Sequence, residues 1–511
     1  MGFKIYSAAV IGLEGMPVEV EIDLRKGLYN FSIVGLPDKA IEESKERVCS
    51  AIKNCGFVPP YRSKRRIIIN LAPADLKKEG PSYDLPIAIS FLLTSGQVIS
   101  NQKLEDKIFI GELSLRGEVR KIRGILPIAL MAKERGFTAI FVPEENVSEA
   151  GLVDGIKVIP IKHLKQLAYY LAGEIDIPPR KSSYLKFYTR NTRNENFIDM
   201  AYIKGQESAK RGLEIAAAGA HNVLMTGPPG AGKTLLAKSI PSILPSLDKN
   251  QILEVSRIYS VSGLLSKNRP LIVFPPFRSP HHTSSAVSLI GGGTYPKPGE
   301  ITLSHRGVLF LDEFPEFNRQ VLEALRQPLE DGYVTVSRVA GSVTFPAKFM
   351  LVAAMNPCPC GNLNNPFKRC TCTQSEISRY KRKISSPILD RIDVYIEVPP
   401  VKYESLCSEK VAEESKNIKE RVKYALELQK KRFKDENILT NSEMDIRQIK
   451  KYCKITNKGQ EILKDAVNTM HLSARGFYKV IKVARTIADL SHSDIIKSSH
   501  IGEALSYKTK E

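Results

Sequence analysis

The stretch Gly227-Pro228-Pro229-Gly230-Ala231-Gly232-Lys233-Thr234 constrains this chain more than any other. It fits G-x-x-x-x-G-K-[ST], a pattern that carries meaning only between a strand and a helix. Both flanks are of that kind. Residues 222–226 read as a short buried strand, and residues 235–240 as the first turns of a helix. Glycines let the backbone turn so tightly that several N–H groups face one anion. The helix N-terminus adds partial positive charge at the same place. Lys233 would then reach the β- and γ-phosphates of ATP, and the Thr234 hydroxyl would ligate Mg²⁺. The chain is expected to bind a nucleoside triphosphate.

With 511 residues the chain is too long for one core, and about two to four domains are expected. The net charge of +20 suits a protein that meets a polyanion better than one serving small molecules, although a lysine-rich composition alone produces the same number. Trp is absent, so any base-stacking platform must use Tyr or Phe. No apolar run approaches the roughly 18 residues of a membrane span, and the first residues lack a signal-peptide core. Cys49, Cys55, Cys407 and Cys453 are scattered singly, as in a reducing compartment. A cytoplasmic protein without a membrane anchor is expected.

Residues 1–172 alternate strand and helix signals. Period-two spacing marks 18–23, helical spacing marks 40–52 and 125–135, and apolar strands are expected at 66–71, 107–112 and 138–142. Two pieces resemble the proteolytic domain of the Lon family: Glu79-Gly-Pro-Ser-Tyr83 and Gly111-Glu-Leu-Ser-Leu-Arg-Gly117. The Lon nucleophile matches Ser82. The lysine that activates it belongs on the helix after the second piece, yet residues 124–131 contain none. A serine without a positioned base is a poor nucleophile. Ser82 is therefore expected to cap a helix over 85–93, in a Lon-like but non-proteolytic domain. A linker over 173–198 follows, with Pro178-Pro179 and an Arg/Asn-rich stretch.

Within 199–400, Gly307-Val-Leu-Phe-Leu-Asp312-Glu313 is an apolar strand ending in two carboxylates. Downstream of a phosphate loop, Asp312 would hold Mg²⁺, and Glu313 would orient or deprotonate the attacking water. A third strand, 348–355, ends at Asn356, which can sit between the other two strands and touch the γ-phosphate. Arg391 stands just before a further strand, and Arg475 begins a helix.

Nearly the whole chain resembles the magnesium-chelatase-like AAA+ ATPases of the ComM/YifB family. The marks are Ile203-Lys-Gly-Gln206, residues 227–234, Arg278-Ser-Pro-His-His282, Leu311-Asp-Glu-Phe-Pro315, Asn356-Pro-Cys-Pro-Cys-Gly361, Leu389-Asp-Arg-Ile-Asp393 and Ser473-Ala-Arg475-Gly. The resemblance implies an α/β fold: a Lon-like N-terminal domain, an AAA+ phosphate-loop core with an inserted cysteine loop, and a C-terminal helical lid over 401–511. It implies that Gln206 lies beside the nucleotide, that Asn356 is sensor 1, and that Arg475, carried by the lid, is sensor 2. It makes Arg391 a finger acting on a neighbour's ATP, hence a homo-oligomeric ring, most often a hexamer. The function it implies is a DNA motor, a branch-migration helicase that promotes integration of DNA in transformation and recombination. The alternative is a chelatase-type ATPase that remodels a protein partner for metal insertion.

Two segments look built to touch DNA. One is the polar, glycine-rich insertion from Pro280 to Tyr295, with Lys297 just beyond it. The other is a hairpin over 333–345 turning at Ala340-Gly341, with Arg338 near its tip. His281 and His282 lack nearby metal partners and are expected to serve loop structure by hydrogen bonding. Cys358-Pro-Cys360 and Cys370-Thr-Cys372 place four thiolates on two turns joined by a short polar loop (358–372), suited to a closed structural Zn²⁺ site. Helices are expected over 404–431, 442–454, 457–471, 475–490 and 497–507.

Overall fold

A computed structural model of the chain describes residues 4–182, 197–266, 268–293, 296–338, 341–363, 365–401 and 412–508. Most of the expected linker, Tyr295, the turn residue Ala340, Cys407 and residues 404–411 of the helix expected over 404–431 lie outside the described residues; the helix described there is Ser415–Arg432. Contacts divide the chain into two compact units, Met1–Asn194 with Ile252–Ile272, and Glu195–Gln251 with Val273–Glu511.

The first unit is built on a seven-stranded mixed sheet. Its order is Asn30–Val34, Arg65–Ala72, Glu14–Lys26, Lys4–Ile11, Lys107–Phe109, Ala139–Pro143, Lys157–Ile161. The Arg65–Ala72 strand pairs antiparallel with Glu14–Lys26 and alternates buried Ile67, Ile69 and Leu71 with less buried neighbours, the period-two signature of a sheet with one face on a core. The expected Ser82 cap is not formed. Ser82 lies inside the 3₁₀ turn Pro81–Tyr83, and the helix Asp84–Thr94 starts without a side-chain cap. The buried Asp84 organises this corner instead. Its carboxylate accepts from Arg47 Nε at 2.7 Å and from the Leu113 amide at 3.1 Å. Ser82 contributes its carbonyl, which accepts from the Gly111 amide at 2.9 Å.

The segment Ile252–Ile272 interrupts the region expected to be one continuous core and belongs with the first unit. From it, the Ser260 carbonyl accepts from the Gly124 amide at 3.0 Å. The Ser260 hydroxyl donates to the buried Glu149 carboxylate. The Leu265 carbonyl accepts from Lys121 Nζ at 2.7 Å. Helical spacing reveals that Lys249–Val261 is amphipathic, not which surface its apolar stripe covers.

The second unit holds a five-stranded sheet in the order Phe277–Arg278, Val308–Leu311, Met350–Met355, Val223–Thr226, Val394–Glu397, and every pairing is parallel. The inner strands are almost wholly apolar, Thr226 excepted, because a parallel sheet is covered on both faces. Helix Glu207–Gly219 lies so close to the last strand that a Cβ on Gly212 would meet Ile396 Cδ1 at 2.7 Å. The C-terminal helices, expected as a separate lid, share one hydrophobic core with this sheet. Ile418, Val422, Val480, Ala484 and Ile487 join Leu213, Ala216, Leu236 and Ile240 in it. A buried polar network fastens the two parts. Asp489 accepts from Arg432, Arg485 and Asn441, and Gln429 Nε2 donates to the Ala218 carbonyl at 2.8 Å. No helix among the described residues is long and apolar enough to cross a membrane.

Candidate active site

Ligands of open parallel sheets bind outside the carboxyl ends of the strands, and the phosphate loop lies there, between Val223–Thr226 and helix Lys233–Ile243. Its glycines are needed for two different reasons. Gly230 and Gly232 have φ of +78° and +92° with open space where a Cβ would stand, so the requirement is conformational. At Gly227 a Cβ would meet the Val398 carbonyl oxygen at 2.2 Å, so there the requirement is steric. Pro228, Pro229 and Ala231 complete the loop. Gln206 is buried and donates to the Pro399 carbonyl at 2.7 Å and to the Ala231 carbonyl at 3.3 Å. It braces the loop from behind.

Lys233 is folded back into the loop. Its Nζ donates to the Gly227 and Pro228 carbonyls at 2.6 and 3.0 Å and to Asn356 Oδ1 at 3.0 Å. Burial holds its ammonium below the usual lysine range, opposed by the Asp312 carboxylate. The Val223↔Val352 register, continued past the strand ends, sets Asn356 opposite Gly227. The Thr234 hydroxyl donates to Asp312 Oδ2 at 2.6 Å. Adjacent oxygen ligands on an octahedral Mg²⁺ stand about 2.9 Å apart, so this pair fits the ion with a small opening. Glu313 adopts φ +52°, ψ 45°, an uncommon backbone for a residue with a Cβ. Its side chain is exposed and meets His282 Nδ1 at 3.0 Å. Nothing in the local sequence signals that contact, since His282 is expected to serve its own loop.

Arg391 and Arg475 are elsewhere. The Arg391 carbonyl accepts from Asn222 Nδ2 at 3.0 Å, and Asn222 precedes the strand that the phosphate loop follows. Arg391 therefore belongs to the opposite edge of the sheet, separated from Lys233 by a four-residue strand, about 13 Å of backbone. Its guanidinium pairs with Glu330 and donates to the Pro387 carbonyl. Arg475 stands 3.7 Å from Glu330 and 3.6 Å from Asp390. The expected lid does not bring Arg475 over the phosphate loop; the shared core carries it to the Arg391 edge. Both arginines line a cavity of about 810 Å³ with Glu330, Lys479 and Lys482. Glu330 carries no sequence signal; only its position beside both arginines marks it.

The four cysteine sulfurs of 358, 360, 370 and 372 lie within 4.8 Å of one another. Cys358–Cys360, Cys358–Cys370 and Cys360–Cys370 are separated by 3.4, 3.7 and 3.6 Å. Sulfurs tetrahedral about Zn²⁺ at 2.3 Å stand about 3.8 Å apart, so the donor set fits that ion. The amides of Cys360 and Leu363 donate to sulfurs, and backbone amides of Thr371 and Asn362 pull the Cys360 thiol down to about 5. The cluster abuts the phosphate loop: a Cβ on Gly361 would meet Pro229 Cδ at 2.4 Å.

The two expected DNA segments are both present. Tyr333–Arg338 pairs antiparallel with Gly341–Pro346, and Lys297 is exposed in a two-residue ladder with Gly292. The insertion that Lys297 follows contains His282, the residue that meets Glu313.

Three family models match in succession: "Subunit ChlI of Mg-chelatase" over residues 20–146, "Magnesium chelatase, subunit ChlI" over 199–406, and "Magnesium chelatase, subunit ChlI C-terminal" over 412–508. The chain belongs to the magnesium-chelatase-like family. Among its members, the uncharacterized protein YifB of Escherichia coli is 41% identical over 99% of this chain and 96% of its own. The competence protein ComM of Haemophilus influenzae is 40% identical over 99% of this chain and 97% of its own. Lon protease 1 of Bacillus subtilis is 26% identical over 32% of this chain. The magnesium-chelatase-like match spans both units, whereas the Lon likeness is partial and weak.

Proposed function

We propose that this chain is an ATPase that works as a ring of identical subunits, most simply a hexamer, and turns hydrolysis into movement of branched DNA in the cytoplasm. The observation that carries the reading is the separation of Arg391 and Arg475 from Lys233 on opposite edges of one sheet. Neither arginine is placed beside a nucleotide held by Lys233 of its own chain, and a second copy can bring one there.

In that reading Lys233 leaves the loop carbonyls for the β- and γ-phosphates. Thr234 and Asp312 would hold Mg²⁺, which would supply positive charge against the phosphates. Asn356 orients the water and Glu313 accepts its proton. A neighbour's Arg391, aided by Arg475, stabilises charge on the transferring phosphoryl group. The four cysteines would hold a structural Zn²⁺ that takes no part in the chemistry. A charge of +20, exposed Lys297 and the hairpin ending at Arg338 favour DNA as the substrate; the likeness to ComM points towards strand integration during competence.

The deciding experiment measures ATP turnover with and without four-way DNA junctions, together with junction unwinding. Stimulation by DNA with ATP-dependent unwinding is expected. Equal turnover in both conditions, with no binding at moderate salt, would remove DNA from the reading and leave a chelatase-type remodelling ATPase.

A further inference from the structure

The cysteine loop carries more than its four thiols. Beyond Asn365 it presents Phe367-Lys368-Arg369 to solvent. Phe367 is the one phenylalanine among the described residues that is exposed, with 66% of its surface open. A single exposed apolar side chain is ordinary. Two features set this one apart: the ring is held outward, and cations surround it in the chain.

The holding is local. The Asn365 amide donates to the Asn362 carbonyl, and its Nδ2 to Asn362 Oδ1, each at 3.1 Å. Asn365 Oδ1 then accepts from the Phe367 amide at 2.9 Å, closing a side-chain turn around Pro366. On the other side, Cys370 Sγ lies 3.7 and 3.6 Å from the sulfurs of Cys358 and Cys360. Only three residues span the gap between that turn and the thiol cluster. The ring is ordered before any ligand arrives, which lowers the entropy cost of binding one.

Between 365 and 383 stand six exposed cations, Lys368, Arg369, Arg379, Lys381, Arg382 and Lys383, against one carboxylate, Glu376. Glu376 is committed to its helix cap, accepting from the Thr373 amide at 2.8 Å and the Thr373 hydroxyl at 3.0 Å. Lys383 pairs with Glu316 at 2.9 Å. The side chains of Lys368, Arg369, Lys381 and Arg382 make no ion pair among the described residues. An aromatic face beside unneutralised cations suits a nucleobase and its phosphates. The base must be unpaired, because in a duplex its neighbours already cover both faces. A lipid surface would need apolar area, yet the helix that follows exposes only Gln374, Ser375, Glu376, Arg379 and Lys381.

We propose that Phe367 is a stacking platform for an unpaired base of a nucleic-acid strand, with Lys368 and Arg369 on the phosphates beside it. The proposal rests on the DNA reading and deepens it: cations meet the phosphates of single strand and duplex alike, whereas the ring tells them apart.

The test measures binding of the full chain, with a slowly hydrolysed ATP analogue, to fluorescent oligothymidine, to an abasic strand of the same length and to a blunt duplex. Phe367→Ala should weaken oligothymidine binding about tenfold, the worth of one stacked base, and leave the abasic strand and the duplex unchanged. Phe367→Tyr should restore the affinity. The double variant Lys368→Ala/Arg369→Ala should weaken all three ligands and lower the salt slope on single strands by about 1.4. No loss in Phe367→Ala, or the same loss on all three ligands, overturns the platform. A smaller assembly of Phe367→Ala in sedimentation would assign the ring to a subunit contact and overturn it as well. Wild type that binds none of the three removes the DNA reading and the platform together. Wild type that binds them while Phe367→Ala binds equally well removes the platform alone.

Discussion

The two edges of the five-stranded sheet are built on different terms. At the carboxyl edge, Lys233, Thr234, Asp312 and Asn356 satisfy one another: lysine to asparagine at 3.0 Å, threonine to aspartate at 2.6 Å. At the amino edge, Arg391 and Arg475 gather around Glu330 and Asp390. In the proposed ring, the first edge would bind the nucleotide and the second would serve a neighbouring subunit.

The most severe test is Arg391→Ala. Fingers of this kind are worth about 10³-fold or more in turnover, and ATP binding should be preserved, because no contact of Arg391 reaches the phosphate loop. Mixing Arg391→Ala with Lys233→Ala subunits should restore part of the activity, since an interface can pair an intact loop with an intact arginine. No recovery in mixed assemblies, measured as turnover against subunit ratio, would break the division between the edges. At the carboxyl edge, Glu313→Gln should lower turnover by roughly 10²- to 10⁴-fold while fluorescent ATP still binds.

A smaller effect is expected from the cysteine loop, which packs on Pro229. Elemental analysis should find one zinc per chain. Cys358→Ser should lose the metal, lower the thermal midpoint by several degrees and weaken ATP binding. Unchanged ATP affinity in the metal-free protein would detach the loop from the phosphate edge.

The smallest is acid sensitivity at the amino edge. Burial would raise the Asp393 carboxyl, but the His221 imidazole 3.5 Å away and the Lys479 ammonium 3.6 Å away outweigh it and hold the group at about 2. A carboxyl lower in the folded than in the unfolded chain contributes stability above about pH 4 that is lost as pH falls through about 2, roughly 2 kcal/mol in all. Asp393→Asn should flatten that part of the stability–pH curve in equilibrium unfolding.

Much of the carboxyl edge was legible beforehand, because its residues sit at the ends of short apolar strands or in one local loop. The cysteine cluster was legible for the same reason. What escaped depended on pairing across the chain. The corner assigned to a Ser82 cap is organised by Asp84, since Arg47, on a helix far earlier in sequence, offers a buried partner. His282 reads as loop structure in the sequence, and only the folded chain brings it to Glu313. Arg475 was expected above the phosphate loop as part of a lid. The C-terminal helices share the sheet's own core instead, and their packing decides which edge the arginine joins.

From the amino-acid sequence alone came the chemistry of the loop, the two acids, the asparagine and the four thiols, because local geometry and side-chain type suffice for those. Tertiary structure decided which groups face one another: Glu313 with His282, the arginines with Glu330, and 252–272 with the first unit. Burial and strand register act between residues far apart in the chain, and no local pattern encodes which distant surface an apolar face will meet.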